Sequence, residues 1–274
     1  MKRKSVDCPV ITLTTDFGLR DEYVGMVKGV LLCTCRDAVI VDLTHGIEPQ
    51  NIAAAAMTIG TSFRFFPEGS VHMVVVDPRV GSDRRILAVR AEDHLFVAPD
   101  NGVLTHVLSE DSFQDAFHVN NRDLFAKTIS HSFHGRDIMA PVAAGLACGL
   151  DISLVGPRLS RQQCCLIPLP AAIYANGKIF GEIIHIDHFG NLRTSITAED
   201  FSRHPCGTNR EIAIGPYTIG CISTTYADSA AETLIALFDS RNHLEIAINS
   251  GNAARKLGCR IGDKVIVSWA AGVG

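Results

Sequence analysis

The sequence predicts an α/β protein, with an N-terminal α/β domain built on a largely parallel sheet and a smaller C-terminal β-barrel-like domain. Three observations predict it. Strand-like and helix-like segments alternate over the first part of the chain, as βαβ units with right-handed crossovers require. The stretch VHMVVVDPRVGSDRR, residues 71–85, opens with an apolar, β-branched run suited to a strand covered on both faces, then stops on Asp77-Pro78. After a proline-rich passage over residues 157–170, period-two alternation takes over.

Val10 to Thr15 is a short β-branched strand ending in Asp16-Phe17-Gly18. The helix after Asp21, Glu22 and Tyr23 places Val24, Val27, Val30 and Leu31 on one face, with Asp21 or a neighbour as its cap. A second strand, Ala38 to Leu43, leads to Thr44-His45, and a helix then runs from about Gln50 through Ile59 to Phe63. The strand from Val71 follows. Three strands thus deliver Asp16, Asp42 or His45, and Asp77 to the carboxyl edge of the sheet, where open α/β sheets bind ligands.

Pro78 forces Asp77 out of helical geometry, and Arg79, Arg84 and Arg85 are the cations available to it. The same window also fits a surface loop with a capping aspartate. Ile86–Arg90 and Leu95–Ala98 are expected to form a hairpin closed by the turn residues Pro99-Asp100-Asn101-Gly102, and Val103, Leu104, Val107 and Leu108 follow at helical spacing. In Ser132-Phe133-His134-Gly135-Arg136-Asp137, just before a helix over Ile138–Leu150, Asp137 is a candidate cap and His134 a candidate acid, base or hydrogen-bond donor.

The predicted boundaries are 8–160 for the N-terminal domain, 161–170 for a linker and 171–274 for the C-terminal domain. Strands are expected at Lys178–Ile186, Glu211–Ile214, Tyr217–Ile222, Leu244–Ile248 and Asp263–Ser268. Two polar loops stand out among them: Asp187-His188-Phe189-Gly190-Asn191, and Asn249-Ser250-Gly251-Asn252-Ala253-Ala254. Both also fit plain β-turns.

With 47% hydrophobic and 20% charged residues, the 274-residue chain is compositionally globular, and its formal charge of −4 offers no footprint for nucleic acid. No apolar run approaches the roughly 18 residues of a membrane span. The basic start Met1-Lys2-Arg3-Lys4 is followed by strand-like rather than signal-like sequence, so a cytoplasmic protein is expected. The nine cysteines show no zinc-type spacing and are expected to be mostly reduced thiols in the core or in loops.

Six blocks in order, Thr15-Asp16-Phe17-Gly18, Asp42-Leu43-Thr44-His45, Val76-Asp77-Pro78 with Val80-Gly81-Ser82 and Arg84-Arg85, Ala98 to Gly102, Phe133 to Asp137, and Ile186 to Asn191, together resemble the S-adenosylmethionine hydroxide adenosyltransferases, relatives of the fluorinases and chlorinases. The resemblance implies hydrolysis of S-adenosylmethionine to adenosine and L-methionine, without metal or cofactor. It further implies a homotrimer whose sites lie between the N-terminal domain of one subunit and the C-terminal domain of the next.

Carried over by position, it makes Asp77, Arg84 and His134 the catalytic triad and Asp16 the ribose ligand. Asp187, Phe189, Asn191 and Ser240 would hold the methionine end, and Phe133, Asn249 and Ala253 the adenine. Arg79 departs from the pattern, standing where the family commonly has glycine. Three alternatives remain: a halide-dependent halogenase, a non-catalytic binder of S-adenosylmethionine or adenosine, and a metal-dependent hydrolase using Asp16, Asp42, Asp77 and His45.

Overall fold

The computed structural model describes residues 8–109, 111–203 and 210–269. The basic start Met1–Lys4 lies outside them, as does the end of the predicted C-terminal domain beyond Trp269. The chain divides between Ile167 and Pro168 into two compact units.

The first unit carries β1 (Val10–Thr15), α1 (Tyr23–Thr34), β2 (Val39–Thr44), α2 (Ile52–Ser62), β3 (Val71–Val75), β4 (Ile86–Ala91), β5 (His94–Pro99), β6 (Phe113–His118), α3 (Ala140–Ala147) and β7 (Arg158–Leu159). They form one sheet in the order β2-β1-β3-β5-β4-β6-β7. β2, β1, β3 and β5 pair in parallel, while β4, β6 and β7 extend the sheet antiparallel. Strand β3 is buried on both faces, as its mainly apolar, β-branched run requires, and His72 within it is buried as well. Val71, Met73 and Val75 meet the layer of α1 and α3, and Val74 packs on the opposite side with Ala55, Ile59 and Phe63 of the α2 side.

Several local expectations are corrected. The N-cap residue of α1 is Glu22, which makes no side-chain cap hydrogen bond, so the expected cap by Asp21 or a neighbour is not formed. The β4–β5 hairpin turns at Glu92 and Asp93, with φ of 46° and 61°, and not at Pro99 to Gly102. Val103, Leu104, Val107 and Leu108 are all buried, but their segment is a series of turns and no regular helix. Asp137 does not cap α3; a single π turn over Gly135–Met139 precedes that helix, and Asp137 instead binds the Ser130 amide at 2.8 Å and the Arg136 guanidinium. Cys35 and Cys148, expected among the unpaired thiols, form a disulfide joining the C-terminal ends of α1 and α3 across 113 residues of sequence.

The second unit holds β8 (Ile173–Ala175), β9 (Lys178–Ile186), β10 (Leu192–Thr197), α4 (Ala198–Arg203), β11 (Arg210–Ile214), β12 (Tyr217–Ile219), β13 (Leu234–Phe238), β14 (His243–Ile248), α5 (Ala253–Leu257) and β15 (Lys264–Trp269). Antiparallel pairing in the order β12-β11-β15-β9-β10-β14-β13, with an isolated bridge from Ile222 to Ala236, makes a nearly closed barrel around Ile183, Leu192, Ile212, Ile246 and Val265. Strands β8, β10 and β13 are additions to those expected from the sequence.

Among the described residues no helix is long and apolar enough to cross a membrane.

Candidate active site

At the carboxyl end of β3 the chain leaves the core on Asp77, and Asn101 pins that exit by donating from Nδ2 to the Val76 carbonyl at 2.9 Å. The following loop folds back through Gly81, whose φ of +81° disfavours any side chain and where a Cβ would stand only 2.3 Å from the His131 carbonyl oxygen. This close approach lays the loop against the segment that carries His134. Arg84 enters at the loop's end. Its Nε lies 2.7 Å from both Asp77 oxygens, its Nη2 also binds Asp77 Oδ2, and Nη2 lies 3.1 Å from His134 Nδ1.

The three predicted residues therefore meet. Of the three candidate cations only Arg84 serves Asp77: Arg85 turns to Asp100, at 2.8 Å from Nε, and Arg79 is exposed.

The side chains of Arg84 and Asp77 are only 4% and 5% exposed, so this is a buried ion pair. Burial, and then the positive charge of Arg84, push the His134 imidazole below its ordinary value of 6.5, against a weaker opposing pull from Asp77. Arginine can only donate, so His134 Nδ1 accepts and the proton of the neutral ring sits on Nε2.

Asp77 and His134 open onto a cleft of about 300 Å³ whose walls include Asp16, Phe17, Val80 and Phe133. Asp16 accepts from the Gln50 amide through Oδ2 at 2.8 Å, which leaves Oδ1 and a second Oδ2 lone pair for a ligand. Phe17, Tyr23 and Phe133 form an edge-to-face group with centroids 5.3 to 5.9 Å apart, and the Arg136 guanidinium lies 4.9 Å over the Phe133 ring. Gln50 carries no sequence signal for this role, being held at a φ of +67° without the glycine or asparagine that usually marks such a position.

The C-terminal unit contains its own hollow of about 430 Å³, lined by Asp187, Phe189, Asn191, Tyr226, Ile248 and Ser250 among others. Asp187 is locked within its turn, Oδ1 accepting from the Asn191 amide at 2.8 Å and Oδ2 from Asn191 Nδ2 at 3.0 Å. Phe189 is 72% exposed, an unusual state for a large apolar ring.

Ser240, Asn249 and Ala253 are not among the lining residues. Ser240 is exposed in the turn before β14, Asn249 spends its amide on the Ser229 carbonyl at 2.6 Å, and Ala253 is fully buried at the start of α5. Tyr226 and Glu245 escaped the sequence reading. The Tyr226 hydroxyl donates to Glu245 Oε1 at 2.6 Å, and burial pushes the Glu245 carboxyl up. The available signal was a charge inside the apolar strand LEIAI.

Asp42 and His45 stand with Lys28, and among the described residues no three His, Cys, Asp or Glu side chains are grouped to hold a metal ion. The ligand set Asp16, Asp42, Asp77 and His45 is thus not assembled.

Residues 11–156 match the SAM hydroxide adenosyltransferase N-terminal domain, and residues 181–266 match the C-terminal domain of the same family. The chain belongs to the SAM hydroxide adenosyltransferase family. It is 33% identical over 263 residues to an (R)-S-adenosyl-L-methionine hydrolase of Salinispora tropica, covering 95% of this chain and 98% of that one. A fluorinase of Actinopolyspora mzabensis is 29% identical over 291 residues, covering 95% of this chain and 97% of that one. Among solved structures, an uncharacterized conserved protein of Thermotoga maritima superposes with a TM-score of 0.88 at 35% identity, covering 94% of this chain and 99% of that one.

Proposed function

We propose that the protein hydrolyses S-adenosyl-L-methionine to adenosine and L-methionine. Water attacks ribose C5′; the C5′–O bond forms as the C5′–S bond breaks, its electron pair neutralises the sulfonium, and the water's proton is lost to solvent. Methionine is already a good neutral leaving group, so the protein's work is to orient one small oxygen nucleophile and exclude competing water. The observation that carries the reading is the meeting of Arg84 with Asp77 and His134, the latter two lining the cleft that also holds Asp16.

In this mechanism Asp77 accepts a hydrogen bond from the attacking water, while the His134 Nε2–H and the Arg84 charge fix its place. Asp16 takes the ribose hydroxyls, and Phe133 provides an apolar wall for the adenine. Asp187, Phe189, Asn191 and Ser240 hold the methionine end, and Asn249 and Ala253 take part on the adenine side. In the proposed cytoplasmic homotrimer, the cleft of one subunit is completed by the C-terminal unit of the next.

The fluorinase relative keeps a halogenase as the second reading. An anionic nucleophile would have to approach the Asp77 carboxylate, whose charge opposes it, and this favours water. Incubating the purified protein with S-adenosylmethionine, with and without chloride or fluoride, and separating the nucleosides by chromatography tests both. Adenosine supports hydrolysis. A halogenated adenosine supports the rival, and substrate binding without any product leaves only a binder.

A further inference from the structure

A chain of polar contacts that takes no part in the proposed chemistry runs behind the cleft. Lys28 Nζ lies 2.6 Å from Asp42 Oδ2, and Asp42 Oδ1 lies 3.0 Å from His45 Nε2 in a contact whose alignment falls short of a hydrogen bond. His45 Nδ1 in turn lies 2.9 Å from Thr15 Oγ1, and that hydroxyl accepts from the Phe17 amide at 3.2 Å. His45 and Thr15 are 5% and 1% exposed, so the ring cannot meet a substrate. The tautomer follows from the neighbours: with a carboxylate beside Nε2, the proton sits there, and Nδ1 accepts the Thr15 hydroxyl proton.

Asp16 is the residue enclosed by these contacts. Thr15 before it is tied to the His45 ring, Phe17 after it to the Thr15 hydroxyl, and Gly18 donates to the His45 carbonyl at 2.8 Å. The carboxylate itself is held by Gln50, at the far end of the loop that His45 begins. Two loops from neighbouring parallel strands are thus fastened to each other at three points around one side chain, His45 supplying two of them, and the Phe17–Thr15 bond tightens the first loop from within.

We propose that His45 is a positioning residue for Asp16, acting through Thr15 to fix the carboxylate where a ribose diol can be gripped; this rests on the reading of Asp16 as the ribose ligand. The role predicts a defect confined to ribose recognition. Thr15→Val keeps the β-branched shape that β1 needs while removing the hydroxyl, and Thr15→Ser keeps the hydroxyl.

The test measures the affinity of the purified full chain for adenosine and for 2′,3′-dideoxyadenosine by calorimetry, alongside kcat and KM for S-adenosylmethionine. Thr15→Val is expected to weaken adenosine about tenfold, leave the dideoxynucleoside unchanged, raise KM and keep kcat within about twofold. Thr15→Ser should restore the parent values. Equal weakening of both nucleosides, or a lowered melting temperature with the adenosine preference intact, would overturn the proposal in favour of a merely structural role. Asp16→Ala serves as the reference: if it abolishes the preference, the ribose reading stands and Thr15→Val alone decides. If Asp16→Ala retains the preference, the ribose reading itself has failed and the positioning role falls with it.

Discussion

Arg84 holds Asp77 by both carboxylate oxygens, its Nε lying 2.7 Å from each. Neither side chain is more than 5% exposed, so each is the other's replacement for water. Removing one partner of such a pair costs about 3–5 kcal/mol, because a buried charge is left behind. Arg84→Leu is therefore expected to lower the urea midpoint sharply, whereas Asp77→Ala combined with Arg84→Leu should recover most of that loss and remain inactive. A double variant as unstable as the single one would show that packing of the Arg84 stem, and not the ion pair, supports the loop.

Asp77→Asn keeps the shape and one oxygen acceptor. If Asp77 acts on the nucleophile, turnover falls by about 10² to 10⁴ while KM changes little. A loss of affinity with unchanged turnover would move Asp77 from the reacting oxygen to substrate binding.

His134 carries its own pH signature. Burial and Arg84 both oppose the charged ring, so it stays neutral at pH 6.5 and above, with Nε2 bearing the proton. The acid limb of kcat/KM is accordingly expected below pH 6.5, and His134→Gln should abolish that limb. A limb centred above 6.5 would mean that the ring is needed in its charged form.

The parts of the fold legible in the sequence were those where hydrophobic periodicity was unmixed. The run Val71–Val76 announced a doubly covered strand, and β9, β11 and β15 showed clean alternation. β10 did not, because two of its buried positions are Thr194 and Ser195. Their hydroxyls are satisfied internally, Thr194 donating to the Leu244 carbonyl at 2.8 Å and Ser195 accepting from the Glu182 amide at 3.1 Å. β13 was hidden for the opposite reason: Ile235 and Leu237 are buried with Ala247, while Ala236 faces the barrel core, so no polar face marks it.

The site was legible block by block, but not its pairing. Arg84 and Arg85 are adjacent, and extended chain sends neighbours to opposite sides, one to Asp77 and the other to Asp100. Spacing alone could not say which.

Arg79, which stands in place of the family's common glycine, is exposed, and among the described residues its bonds are the two its backbone carbonyl accepts from Ser82. Arg79→Gly should therefore leave turnover within about twofold, since exposed substitutions away from buried contacts perturb little. A large rise in turnover would show that the guanidinium obstructs the cleft.

His72 offers a test of the core that is independent of function. It sits inside β3 with no exposed surface, Nδ1 lying 2.7 Å from Thr12 Oγ1 and Nε2 3.1 Å from His94 Nδ1. Burial, and secondarily His94, lower its pKa from 6.5 to about 3. As pH falls below 6.5 the unfolded chain takes up a proton that the folded one refuses until about 3, so the unfolded state binds more protons throughout that window and stability declines. Between pH 7 and 4.5 this one group accounts for roughly 2 to 3 kcal/mol. Chemical denaturation at the two pH values should show that the stability lost on acidification is smaller by about that amount in His72→Gln, even though the variant is less stable at neutral pH. An unchanged loss would mean that His72 is charged, or reached by solvent, well before the sheet opens.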